Sequence, residues 1–338
     1  MTVVLPVFWS MGQLTTWWSP PVDAVVFAVM LALGLPRAIQ AVPRGHLPVA
    51  AAGALAGVVI ATGCGMLLSG TTAQVLLGAA AFAVTASAAV WLRRFGPAWR
   101  SASITAGVPF TAVLVHPLPL DRTWPVLGWM SVGGVVAVCW TLALTSPTAG
   151  NAAPAPVRRS RRRLAPSTRQ AVQLLVALAG AFAAGELLDP DHLVWPVLTV
   201  LLVSSGNRGR ADVLRKGAQR MAGALGGTAL ATWATSSLAP GDNLAVVAVF
   251  GLLALAAGLR PFGYVFWAGG VTGALAFLYG FFGQGGTEVL AHRLIGIAAG
   301  SVLAVLAAWF VLPVRARSRS TGDNPTRDVR ADRTGSAA

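Results

Sequence analysis

Twelve apolar segments follow one another along the chain, near residues 2–19, 22–36, 46–69, 73–92, 97–115, 124–146, 168–188, 193–206, 218–238, 243–259, 262–282 and 293–313. Crossing a bilayer as a helix takes about 20 apolar residues, because backbone N–H and C=O groups in hydrocarbon must be satisfied within the segment itself. A chain that alternates such runs with short polar turns is expected to fold as an all-α polytopic membrane protein. Composition agrees: only 11% of residues are charged, against about 25% in soluble domains, and the mean hydropathy is +0.69. Too little charge remains to cover a water-facing surface. The 38 glycines, frequent inside the runs, weaken an isolated helix but suit close packing of helices in lipid. Met1 to Trp18 lacks a basic leading region and reads as a membrane segment, not a cleaved signal peptide.

The basic residues predict an orientation. In the twelve-segment scheme 23 of the 25 fall on one side. They are Arg37 and Arg44, then Arg93, Arg94 and Arg100, then the cluster from Arg158 to Arg169. In the second half they are one loop holding Arg208, Arg210, Arg215, Lys216 and Arg220, then Arg260, then the C-terminal tail. Only Arg122 and Arg293 lie opposite, among Asp23, Asp121, Glu186, Asp189, Asp191, Asp242 and Glu288. The positive-inside rule then places both termini in the cytoplasm of a multi-pass plasma-membrane protein. The net charge of +14 is accordingly a topology signal, and no nucleic-acid partner is expected. Arginine at five of the six positions 158–163 should draw anionic lipid headgroups to this linker at about 1 kcal/mol per charge.

The two halves read as repeats. Ala52-Gly53-Ala54-Leu55-Ala56-Gly57 matches Ala222-Gly223-Ala224-Leu225-Gly226-Gly227, and Leu92-Arg93-Arg94-Phe95-Gly96 parallels Leu259-Arg260-Pro261-Phe262-Gly263. The last segments end at Pro147 and Pro313, and the offset drifts only from 170 to 166 residues, so the landmarks keep their order and spacing. Equivalent loops are basic in both halves, which predicts parallel rather than inverted six-helix repeats. The expected division is a first transmembrane repeat over 1–147, a basic cytoplasmic linker over 148–167, a second repeat over 168–313 and a disordered tail over 314–338.

Catalytic signals are missing. His46, His116, His192 and His292 lie far apart with no metal-ligand spacing, and Cys64 and Cys139 fall inside apolar runs. No phosphate-cradling glycine loop or nucleophile elbow is present. Asp189-Pro190-Asp191-His192 is ordinary turn chemistry. No enzyme activity, metal or cofactor is expected.

The segment from Leu193 to Ser205 is short for a membrane span, as is its counterpart near 22–36. Short or broken helices at matching positions of two repeats point to a central binding site; a tilted, longer helix is the other reading. Trp195-Pro196-Val197-Leu198-Thr199 through Val203 is followed by the basic loop and by Arg220-Met221-Ala222-Gly223-Ala224-Leu225-Gly226-Gly227. With Gly263-Tyr264 and Arg293-Leu294-Ile295-Gly296, this pattern resembles the fusaric acid resistance protein-like group. The resemblance covers about 168–313 and reaches the first half only through the repeat. It implies a membrane exporter of aromatic or other small organic acids, with plant anion channels as more distant relatives. The chain departs from many such proteins in lacking sizeable cytoplasmic domains.

Candidate roles follow residue by residue. Gly53/Gly57, Gly223/Gly227 and Gly296/Gly300 form small-xxx-small faces for helix packing. Arg208 and Arg220 either attract an organic anion at the cytoplasmic mouth or sit at lipid headgroups as topology determinants. Trp195 and Thr199 line a path for an aromatic acid, or Trp195 belongs to an interfacial belt. Glu186 is a proton-coupling candidate or a helix-end residue. The expected function is export of a small organic anion, with a passive anion channel or a non-transporting scaffold as alternatives; homo-oligomerisation stays open.

Overall fold

A computed structural model describes residues 2–18, 22–114, 123–146, 165–188, 193–205, 209–235, 241–281 and 287–312. Among them are twelve α-helices: α1 (Val4–Trp18), α2 (Val22–Gln40), α3 (Leu47–Leu67), α4 (Thr72–Leu92), α5 (Pro97–Ala112), α6 (Thr123–Leu144), α7 (Pro166–Leu188), α8 (Val194–Ser204), α9 (Arg210–Thr235), α10 (Asn243–Leu259), α11 (Tyr264–Phe281) and α12 (Thr287–Phe310). Each overlaps one expected segment. Seven of them, α2, α3, α4, α6, α7, α10 and α12, are long and apolar enough to cross a membrane; α1, α8 and α11 hold shorter apolar stretches. The protein is therefore a polytopic helical membrane protein.

Helix boundaries follow local chemistry. The Thr71 backbone N–H donates to Gln74 Oε1 at 2.8 Å, closing a capping box at the start of α4. Asp242 Oδ1 accepts from the Leu244 backbone N–H at 2.9 Å and caps α10. Gly96, with φ 137°, turns the chain into Pro97 at the first position of α5.

Three boundaries differ from the hydropathy reading. The second helix is not short: α2 runs through Pro36 to Gln40, and its last turn is held by buried Leu35, Ala38 and Ile39. Of the two segments expected to be short, only α8 is, at 11 residues, or roughly 16 Å of helix. α9 begins at Arg210, so Arg210, Arg215, Lys216 and Arg220 are helical and do not form a loop. An Asp212–Lys216 pair at 2.9 Å supports that first turn, and Lys216 Nζ also donates to the Ser205 carbonyl at 3.0 Å. α12 begins at Thr287, which puts Arg293 inside a helix and not in a turn. Hydropathy marks where lipid begins; a helix starts wherever its hydrogen bonds do.

Packing is closest where small residues meet. A Cβ on Gly53 would lie 2.5 Å from the Ala102 carbonyl oxygen, and one on Gly57 2.6 Å from that of Ala106, so α3 and α5 touch along their backbones. α9 meets α11 in the same manner, with Gly223 against the Val265 carbonyl and Gly227 against Gly269 and Gly273. α12 lays Gly296 and Gly300 on α8, against Trp195, Pro196 and Thr199. Buried polar links add to this: Thr105 Oγ1 donates to the Ala50 carbonyl at 2.6 Å, and Gln173 Nε2 to the terminal Val311 carbonyl of α12 at 2.8 Å. The first six helices meet the last six through α4 on α7 and α5 on α8. Phe82 there takes edge contacts from Phe110 and Phe182, with centroids 5.1 and 5.8 Å away. Arg37 and Arg260 both stack on the Trp267 ring, 5.7 and 4.8 Å from its centroid.

Gly227→Leu should force α9 and α11 apart, whereas Gly226→Leu, next to open space, should be tolerated. We expect the first to lower stability by about 1–3 kcal/mol and the second to leave it unchanged, as read by thermal unfolding of the purified proteins.

Candidate functional site

Helix α5 carries an unusual face. Arg100, Ser103, Ile104, Gly107, Val108 and Thr111 recur at three- and four-residue spacing, and all of them line one cavity of about 450 Å³. α4 adds Ala86, Ala89, Val90 and Arg93, α7 adds Gln170 and Leu174, and α8 adds Leu201, Ser204 and Ser205. The cavity thus lies between the two halves of the chain, with Arg93 and Arg100 both in its lining. Arg100 to Thr111 covers roughly 16 Å of helix, about half of a ~30 Å hydrocarbon core. Phe110 also lines it, and the Phe110–Phe82–Phe182 contacts place an aromatic cluster at its inner end.

The lining is chemically two-sided. One part is apolar, from Val90, Ile104, Val108, Leu174 and Leu201; the other offers two guanidinium groups, three serines, a threonine and a glutamine. Arg93 Nε donates to Ser103 Oγ at 2.9 Å, which fixes its side chain against α5. The Arg93 and Arg100 charges act on each other, and no carboxylate is among the described lining residues. A cavity with that balance favours an anion with an apolar body. A second cavity, about 250 Å³ between α1, α2, α10 and α11, has a wholly apolar lining and offers a charged solute nothing to orient it.

Two further arginines are sealed inside the bundle. Arg293 is 0% exposed. Its guanidinium stacks 4.4 Å from the centroid of the Trp195 ring and Nη2 donates to the Thr272 carbonyl at 3.0 Å, so one side chain joins α8, α11 and α12. Arg220 is 1% exposed on α9. Both start the same pattern, Arg-x-x-Gly-x-x-x-Gly, whose glycines seat α9 on α11 and α12 on α8.

Residues 178–307 match the fusaric acid resistance protein-like family. Comparison with curated proteins finds no match, and comparison with solved structures finds none. The fusaric acid resistance protein-like region runs from the middle of α7 to near the end of α12 and takes in less than half of the chain. Together with the apolar helices, it makes this a transporter-like membrane protein.

Within that region the sequence candidates are dispersed. Trp195 and Thr199 are buried against α12; neither lines the cavity. Arg220 was expected at a mouth and is instead enclosed, because α9 starts ten residues before it. Glu186 is exposed near the end of α7. Arg208 lies outside the described residues. Arg93, Arg100, Ser103, Thr111, Gln170 and Ser204, which do meet in the cavity, were not singled out from sequence. The available signal was the Arg100–Ser103–Thr111 stripe at helical spacing along α5. Among the described residues no group of three His, Cys, Asp or Glu could hold a metal ion.

The Arg293–Trp195 stack should be measurable by a double-mutant cycle with Arg293→Lys and Trp195→Leu. A coupling of about 0.5–2 kcal/mol in unfolding free energy is expected; additive losses would show that the ring contact adds nothing to stability.

Proposed function

We propose that the chain exports small organic acids, aromatic ones included, loading them from the cytoplasm into the cavity between α4, α5, α7 and α8. The observation that carries this reading is the cavity's lining: two arginines and a set of hydroxyl and amide groups beside an apolar wall that ends on Phe110. Its volume of about 450 Å³ falls within the 300–1,000 Å³ typical of small-molecule sites. An arginine holds a carboxylate by charge and by paired hydrogen bonds, while an aromatic ring gains by leaving water for the apolar wall.

The cytoplasmic assignment rests on Arg93 and Arg100 in the cavity lining, read with the positive-inside rule. On that reading the membrane is the plasma membrane and both termini are cytoplasmic, with the arginine-rich linker against anionic headgroups. The parallel repeat is supported by pairings that recur at equivalent places: α3 on α5 and α9 on α11, α2 on α6 and α8 on α12. Two like bundles that rock about a shared interface would expose a central cavity to one side at a time. The Phe82, Phe110 and Phe182 cluster is placed to close the far side while the near side is open.

The test is export of benzoate from loaded proteoliposomes or cells. Arg93→Gln combined with Arg100→Gln should lower the rate about tenfold or more, corresponding to loss of ~1.4 kcal/mol or more of anion contact, with membrane insertion unchanged. Full export by a correctly inserted double variant would remove the cavity from the substrate path. Counterflow under an imposed pH gradient separates an exporter from a channel, since only the exporter moves benzoate uphill.

A further inference from the structure

Arg220 is, with Arg293, one of two arginines fully enclosed among the described residues. Its side chain is 1% exposed, yet Nε and Nη2 have no hydrogen-bond partner. These two nitrogens are not a random pair: their N–H bonds point the same way along one edge of the guanidinium plane, the edge that grips a carboxylate or phosphate with two parallel hydrogen bonds. Tyr264, at the first position of α11, lies within electrostatic reach of that charge, and its hydroxyl is also buried without a partner. Three buried donors thus have no acceptor among the described residues. An uncompensated charge away from water costs several kcal/mol, and buried polar groups in folded proteins are nearly always paired. Arg293 shows the usual solution in the same fold, a carbonyl and an aromatic face.

We propose that Arg220 and Tyr264 form an internal binding site for a two-oxygen anion, a carboxylate or a phosphate group, held on the Nε–Nη2 edge and by the tyrosine hydroxyl. The site is separate from the cavity lined by Arg93 and Arg100, and it does not rest on the transport reading. It sits one turn before Gly223, where α9 and α11 meet along their backbones, so the bound anion would supply the charge that lets the two helices close around Arg220. A bare halide would satisfy the charge but not the paired geometry. The same two-oxygen chemistry is available from a free organic acid and from a phospholipid headgroup.

Thermal unfolding of the purified full-length chain in detergent tests this, with benzoate, inorganic phosphate and phosphatidylglycerol added in turn, and sodium chloride at matched ionic strength as reference. A saturable rise in the melting midpoint is expected with at least one oxyanion; the one that acts identifies the source. Arg220→Met, made in the Arg93→Gln/Arg100→Gln background so that anion binding in the cavity does not contribute, replaces an unpaired buried charge by an apolar chain of similar length and should abolish the rise. Tyr264→Phe should weaken the apparent affinity about tenfold, as expected for one hydrogen bond to a charged group. Arg93→Gln/Arg100→Gln should keep the rise, which separates this site from the cavity. A rise that persists in the Arg93→Gln/Arg100→Gln/Arg220→Met variant, an equal rise with chloride, or no rise with any oxyanion overturns the proposal.

Discussion

In hydrocarbon, an apolar side chain gains nothing by leaving lipid for a neighbouring helix, so helices must be held by close van der Waals contact and by polar links. In this chain that contact is made between backbones. Gly53 and Gly57 bring α3 onto α5, Gly223 and Gly227 bring α9 onto α11, and Gly296 and Gly300 bring α12 onto α8. At such separations a single added carbon has nowhere to go. Each pairing fixes the rotation of two helices as well as their distance, and the rotation decides which side chains face the interior.

The interior polar groups follow from those rotations. With α5 seated on α3, its Arg100–Ser103–Thr111 stripe points away from α3 and into the space shared with α4, α7 and α8. With α12 seated on α8 through Gly296, Arg293 one turn earlier comes to rest over Trp195. With α9 seated on α11 through Gly223, Arg220 one turn earlier is enclosed beside Tyr264. In both latter cases an arginine side chain, which leans toward the N-terminus of its own helix, is carried inside by the glycines that follow it.

Much of this was legible along the sequence, and the exceptions share a cause. Each described helix overlaps an expected segment, because crossing length and hydropathy are local properties. Boundaries slipped where a helix outran its apolar part: α2 continues past Pro36 and α9 begins among charged residues. The latter slip changed the reading of Arg220 from an exposed mouth residue to an enclosed one. Trp195 and Thr199, read as candidates for a path, face glycines of α12, a neighbour nearly a hundred residues away that hydropathy does not reveal.

The order of apolar runs was enough to determine a polytopic helical membrane protein, since it depends only on the free energy of placing each segment in lipid or water. The cavity, the clasp of Arg293 on Trp195 and the enclosure of Arg220 were decided by tertiary structure alone. They require the relative rotation and depth of helices distant in sequence, and those are set by backbone contacts whose partners no single segment encodes.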